Sequence, residues 1–215
     1  TSVHVLIDQW TGVWLPGGGD LRGVSFSGEQ ASEQTQSLYY NSDTGTALVT
    51  TGVGAGDSYD LQLVLPPEVD RDALIDYGIR TVHQPSQTRI PDTVIKQVAV
   101  ITEGAATAVE QVFAIEKALQ QGFYSDGSDG QSLSGHNEAR ISALLGDPQM
   151  IGDDEQYGVA MALMLRHLGI PARVVMGFHP PEEVSVADEW VATGTDAHVW
   201  VEVPFNEVGW VAFDP

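Results

Sequence analysis

The sequence predicts an α+β fold: an N-terminal antiparallel β subdomain over residues 1–66, then a core over residues 92–215 in which a central buried helix packs on an antiparallel sheet. Three observations predict it. Before residue 66, apolar residues recur at every second position between turn residues. After residue 92 they recur at helical spacing, and from residue 197 they return to period two in a hairpin pattern. Residues 67–91 read as a linker with a short helix.

In the first part, Val3, Val5 and Ile7 alternate with polar neighbours, and "SLYY" and "TALVTT" flank the turn "NSDTG". "YDLQLVLPP" sets Tyr59, Leu61 and Leu63 against Asp60 and Gln62. Such runs, bounded by Gly, Asn and Asp, are half-buried antiparallel strands. "PGGGD", Pro16 to Asp20, is a loop; with no helix or Lys-Ser/Thr pair behind it, it is no phosphate cradle. Pro66-Pro67 closes the last strand, and "HQPSQTRIP" belongs to the linker.

From Asp92 the pattern is helical. Thr107-Ala-Val-Glu110 is a capping box. Behind it Val109, Val112, Phe113, Glu116 and Leu119 keep helical spacing until Gly122. A short helix follows over about Asn137 to Leu145, ending at Gly146. The intervening "YSDGSDGQSLSG", Tyr124 to Gly135, is by composition a mobile loop, and in a functional reading the rim of a cleft.

The next helix, Glu155 to Leu168, has almost no polar face, so it is buried on nearly every side. Asp153, Asp154 and Gln156 form an acidic start that the helix dipole favours, and Gly169 with Pro171 forms the stop. "ARVVMGF" then turns to strand, and Arg173 within it is expected to pair structurally with one of the many acids.

Composition narrows the function. A chain of 215 residues, 42% hydrophobic, can bury a core. Its 30 acids against 9 bases give a formal charge of −21, which repels phosphate backbones and argues against nucleic acid and anionic membrane surfaces as partners of this domain. No calcium loop of the D-x-[DN]-x-[DN]-G-x₅-E type concentrates the carboxylates. The absence of cysteine removes disulfides, thiolate metal sites and thiol chemistry together. No run reaches the ~18 apolar residues of a membrane span, so any anchor or export signal is expected outside this segment.

The most informative residues come last. In "AHVWVEV", His198, Trp200 and Glu202 share one face and Val199, Val201 and Val203 the other; in "GWVAFD", Trp210, Ala212 and Asp214 share a face. With "PFNEV" as the hairpin loop, Val203 is expected to pair with Gly209, which sets His198 directly opposite Asp214. A carboxylate there would fix the tautomer of the histidine and stabilise imidazolium. Trp200 and Trp210 either line a cleft or fill the layer between sheet and helix, and packing is the simpler reading of both. His4, His83, His136, His167 and His179 have no partner spacing and read as surface or capping residues.

"GDDEQYGVAMALMLRHLGIPARVVMGF", "DAHVWVEV" and "GWVAFDP" together resemble the transglutaminase-like superfamily, in particular the extracytoplasmic domain of bacterial transglutaminase-like membrane proteins. The family pattern is G-x-C-x-x-[FY]-A, then L-G-[IL]-P-A-R-V-V-x-G-[FY], H-x-W-x-E and G-W-x-x-[FY]-D-P, met here in order over about Met150 to Pro215. The resemblance implies a papain-like core in which a Cys attacks an amide or acyl carbonyl, a His activates it and an Asp orients the His. His198 and Asp214 match the last two; the cysteine position is Asp154. It also implies a domain excised from a membrane-tethered protein, on the outer side of the cytoplasmic membrane.

Aspartate changes the expected chemistry. The helix dipole stabilises a carboxylate at the N-terminus, but a carboxylate is a weak nucleophile and its attack on an amide would give a mixed anhydride. Asp154 is expected to pair with His198, giving an Asp154–His198–Asp214 remnant of the triad with imidazolium in the middle. Trp200 and Glu155 are expected to line the cleft beside it. The expectation is a catalytically inactive domain that binds an extended peptide or cell-envelope polymer or serves as a scaffold, with no cofactor implied. Three alternatives stay open: a hydrolase or acyltransferase with Asp154 as nucleophile, a Zn²⁺ or Mn²⁺ site built from the same three residues, and a serine hydrolase using Ser134.

Overall fold

The computed structural model describes residues 1–65, 67, 69–128, 130–178 and 189–215. His179 and Pro66, both singled out above, lie outside the described residues. The chain forms two compact units, Thr1–Glu68 and Val69–Pro215.

The first unit contains β1 (Ser2–Leu6), β2 (Gly12–Trp14), β3 (Asp20–Ser27), α1 (Ala31–Gln36), β4 (Leu38–Asn41), β5 (Thr46–Val53) and β6 (Ser58–Val64). Two three-stranded antiparallel sheets result, ordered β1-β6-β3 and β2-β5-β4. Their alternating residues supply the core: Ile7, Leu15, Val49, Tyr59, Leu61 and Leu63 are buried. Helix α1 is an addition to the expected strands. "ASEQTQ" carries no apolar stripe; its place is fixed by the buried Gln34, whose Nε2 donates to Asp57 Oδ2 at 2.8 Å.

The second unit begins within the segment that composition reads as linker. Helix α2 (Leu74–Tyr77) buries Leu74 completely. Arg80 N–H then donates to Pro204 O at 2.8 Å, and Gln84 exchanges two hydrogen bonds with the backbone of Ala172. These backbone pairings make residues 69–91 part of the second unit, a tie that local composition does not reveal.

Helices α3 (Asp92–Ile101) and α4 (Ala108–Leu119) follow, the latter opened by the expected Thr107/Glu110 capping box. After β7 (Phe123–Tyr124), α5 (Glu138–Gly146) is capped by the Asn137 side chain, and β8 (Ile151–Gly152) pairs in parallel with β7. Helix α6 (Asp154–His167) starts at a capping box between Asp153 and Gln156. It buries Ala160, Met161, Met164 and Leu165 and ends where Gly169 adopts the left-handed conformation that a helix stop favours. Strands β9 (Arg173–Phe178), β10 (Ala197–Phe205) and β11 (Gly209–Phe213) make an antiparallel sheet ordered β11-β10-β9. The α+β architecture, with a central buried helix on an antiparallel sheet, is that expected from the sequence.

The hairpin register differs from the expected one. Gly209 pairs with Phe205, two residues beyond Val203, and the loop shrinks to Asn206, Glu207 and Val208. Glu207 and Gly209 take positive φ values of 64° and 94°, as a short hairpin loop with a left-handed residue requires. The longer ladder also buries Phe205, stacked on Phe213. A shift of two preserves the face of every side chain, so Val199, Val201 and Val203 still point into the core. His198 and Asp214 share a face but are no longer opposite one another.

Among the described residues no helix is long and apolar enough to cross a membrane. Helix α6 lies close on the sheet because Gly158 has no side chain: a Cβ there would meet Val199 Cγ1 at 3.0 Å. Gly158→Val is therefore expected to overpack this contact and lower stability by about 1–3 kcal/mol, read from urea unfolding.

Candidate functional site

Three segments distant in sequence meet at the N-terminus of α6. Asp154 is its first helical residue, where unpaired backbone N–H groups favour negative charge. His198 lies near the start of β10, and Asp214 follows the last residue of β11. The imidazole stands between the two carboxylates: Nδ1 is 2.5 Å from Asp154 Oδ2 and Nε2 is 3.1 Å from Asp214 Oδ1. The Asp214 contact thus forms despite the changed register, made along a diagonal of the same face.

This geometry sets a proton count. A neutral imidazole donates from one nitrogen only, whereas ionised carboxylates only accept, so satisfying both contacts calls for imidazolium. Burial works against that charge, but the hydrogen bond and charge of Asp154, then the charge and hydrogen bond of Asp214, outweigh it and raise the His198 pKa above its ordinary 6.5. The side chains of His198 and Asp154 are only 26% and 28% exposed, so solvent weakens their attraction less than at an open surface.

The arrangement bears on the alternatives. The two carboxylates lie on opposite nitrogens of one ring, so the three side chains do not converge on a common point. Among the described residues no group of three or more His, Asp or Glu converges as a metal site would. Ser134 is exposed, and both ring nitrogens of His198 are engaged by carboxylates, which leaves neither directed at its hydroxyl.

A cleft of about 160 Å³ opens beside the cluster, lined by Tyr124, Asp153, Asp154, Glu155, Met176, Ala197, His198 and Val199. Glu155 is a lining residue, and its carboxylate pairs with His136 Nδ1. Trp200 does not line the cleft. Its ring stacks beside His198 at 6.3 Å and lies across Gly177, where a Cβ would come within 2.7 Å of it. Trp210 carries the Arg173 guanidinium over its ring at 4.1 Å, and Arg173 pairs with Glu202 through both Nε and an Nη. Both tryptophans are half-buried on the face turned away from Val199, the residue that touches α6, so neither fills the layer between sheet and helix.

Two supporting networks join residues whose spacing in the sequence carries no periodic signal. The fully buried Gln156 accepts from Arg140 Nη2 at 2.7 Å and donates to Leu133 O at 2.6 Å and Gly135 O at 3.0 Å. Arg140 also donates to Leu133 O and Ile151 O. The end of the polar loop expected to be mobile is therefore strapped to the start of α6. On the other side, the buried Glu116 of α4 accepts the backbone N–H of Asp214 at 3.1 Å and pairs with Arg71, while Gln120 Nε2 donates to Asp214 O at 2.7 Å. Burial pushes the Glu116 carboxyl up, against the opposing pull of Arg71. The available signal was an acid on the otherwise apolar face of α4.

Two outcomes follow from these contacts. Because the His198 pKa is raised on folding, its stabilisation is complete below pH 6.5 and is lost as pH rises through the folded value. Unfolding free energy should therefore fall on going from pH 6.5 into the mildly alkaline range, and in His198→Gln that slope should disappear. Glu116→Ala should cost about 1–3 kcal/mol in urea unfolding, since it strands the Asp214 amide, while Glu116→Gln, which keeps an acceptor, should cost less.

The comparisons with known proteins bear on this geometry. The sequence model of the transglutaminase-like superfamily matches residues 95–215. Among curated proteins, "Uncharacterized protein YebA" of Bacillus subtilis is 28% identical over 135 residues, 59% of this chain and 18% of that protein. "Protein-glutamine gamma-glutamyltransferase" of Pseudomonas aeruginosa is 44% identical over 59 residues, 27% of this chain and 9% of that protein. The matched segments thus span less than a fifth of either relative. The crystal structure of the periplasmic domain of TgpA from Pseudomonas aeruginosa superposes with a TM-score of 0.64 at 19% identity, covering 100% of this chain and 68% of that one. The family match takes in more than half of the chain, from α3 through the strands that carry His198 and lead to Asp214, and the chain belongs to the transglutaminase-like superfamily.

Proposed function

We propose that this chain is an extracytoplasmic transglutaminase-like domain without acyl-transfer activity, in which the Asp154–His198–Asp214 cluster has become a structural clasp and the domain acts as a scaffold in the cell envelope. One observation carries this reading: the histidine that would activate a nucleophile is held on both nitrogens by carboxylates, and the residue at the head of α6 is one of them. An imidazolium cannot act as general base, and a carboxylate hydrogen-bonded to it is less nucleophilic still. The absence of cysteine from the whole chain agrees with this. The likeness to a protein whose solved domain is described as periplasmic supports the location.

A second reading keeps binding alive at the same place. Tyr124 and Met176, both well exposed, flank the cleft, and a cavity of about 160 Å³ is of a size for one side chain of an extended peptide rather than for a whole ligand. In that case the domain would hold a peptide of the envelope across the clasp without cleaving it.

The test uses the chain and its Asp154→Cys variant. The wild type should release no ammonia and incorporate no amine into glutamine peptides. Asp154→Cys should gain a thiol that iodoacetamide alkylates faster than a free thiol at neutral pH, with part of the excess lost on adding His198→Ala, because the helix N-terminus and His198 would both favour thiolate. Amide turnover by the wild type that disappears in His198→Ala would overturn the proposal.

A further inference from the structure

The first unit carries a second candidate site, which none of the relationships above assigns. Strand β5 is flanked by β2 and β4, and the register places Trp14, Leu48 and Tyr39 in one row across the three strands. Ala47 and Val49 alternate with Leu48 and are buried, so this row points away from the core. Trp14 is 56% exposed and Tyr39 61%. Strands lie about 4.8 Å apart, which sets these two aromatic residues roughly 9–10 Å from one another with Leu48 between them.

The platform ends at a hollow. Between Gly12↔Val53 and Trp14↔Leu48 the β2–β5 register shifts, so that the residues of β5 from Val49 to Gly52 face Val13 alone. The ladder opens there into a depression of about 430 Å³ whose walls include Gly12, Gln30, Thr50, Thr51 and the backbone of Gly52 and Gly54. Its volume falls in the range of small-molecule sites, and its polar side chains are the hydroxyls of Thr50 and Thr51, the amide of Gln30 and one carboxylate, Asp57, whose Oδ2 already accepts from Gln34 Nε2 and the Gly54 N–H.

The charge of this surface selects the ligand. In a chain of −21, the outward residues around the aromatic row, Asn41, Thr46 and Thr50, are uncharged, and Arg22 is the only Lys or Arg in the first 65 residues. Polyanions such as nucleic acid or phosphate polymers find no cation here. An exposed aromatic patch beside uncharged hydrogen-bonding groups fits a molecule that offers C–H faces and hydroxyls together. We propose that the β2-β5-β4 face binds an uncharged glycan, its pyranose rings lying on Trp14 and Tyr39 and its hydroxyls reaching the hollow at Thr50 and Gln30. This site belongs to a different unit from the clasp, and it stands or falls apart from the inertness of that cluster.

The test is an NMR titration of the 215-residue chain with two probes, cellotetraose and the tetramer of N-acetylglucosamine. Saturable shifts of the Trp14 indole signal are expected with at least one probe, and Trp14→Ala or Tyr39→Ala should weaken binding by about tenfold or more. Both side chains are exposed, so the variants should unfold at the same urea midpoint as the wild type. Absence of shifts up to about 10 mM of either probe, or binding undiminished in both variants, would overturn the proposal. So would finding that the face drives self-association or vesicle binding, abolished by Trp14→Ala, with no response to glycan.

Discussion

An imidazole held between two carboxylates joins three parts of the second unit: the N-terminus of α6 through Asp154, the start of β10 through His198 and the end of β11 through Asp214. Each part is braced from behind. Gln156 and Arg140 tie the start of α6 to the loop over Leu133 and Gly135, and Glu116 and Gln120 of α4 hold the backbone of Asp214. The approach of helix and sheet rests on Gly158, and the placing of Trp200 beside His198 rests on Gly177. These groups fix the carboxylates on either side of the ring, and that fixed geometry raises the histidine pKa.

The same frame explains what an aspartate does at the head of α6. The head of a buried helix favours any anion. A thiolate there would be a strong nucleophile with a histidine at hand, and the imidazole would cycle between proton acceptor and donor. A carboxylate draws the same stabilisation but keeps the proton on the ring. On the proposed reading, His198 and Asp214 then act as the middle and far end of an ion-paired clasp, and the presence of the pair does not require activity.

Much of this was legible in the sequence because it rests on local periodicity. Alternation in "AHVWVEV" and "GWVAFD" placed His198 and Asp214 on one face for any register that differs by an even number of residues, and the two-residue shift left that face unchanged. The capping box at Thr107 and the acidic cap at Asp153 are local and appear as read, the latter as a full capping box with Gln156. The register itself was not legible, since it depends on burying Phe205 against Phe213 and on a left-handed turn at Glu207, a residue type that does not advertise one. The pairings of Glu116 with Asp214 and of Gln156 with Leu133 join residues far apart in the chain, and polar partners at such separation leave no periodic trace. Helix α1 leaves no apolar period in the sequence for a related reason, as its buried residue is a glutamine.

The central claim is that His198 is an imidazolium donating from both nitrogens. Nitrogen-15 NMR of the histidine ring measures this directly. The account predicts that at pH 7 both His198 nitrogens carry protons, with the Nδ1 proton shifted downfield by its short bond to Asp154, and that the ring loses a proton only above its ordinary pKa of 6.5. A His198 ring that is neutral at pH 7, with one nitrogen bare, would contradict it.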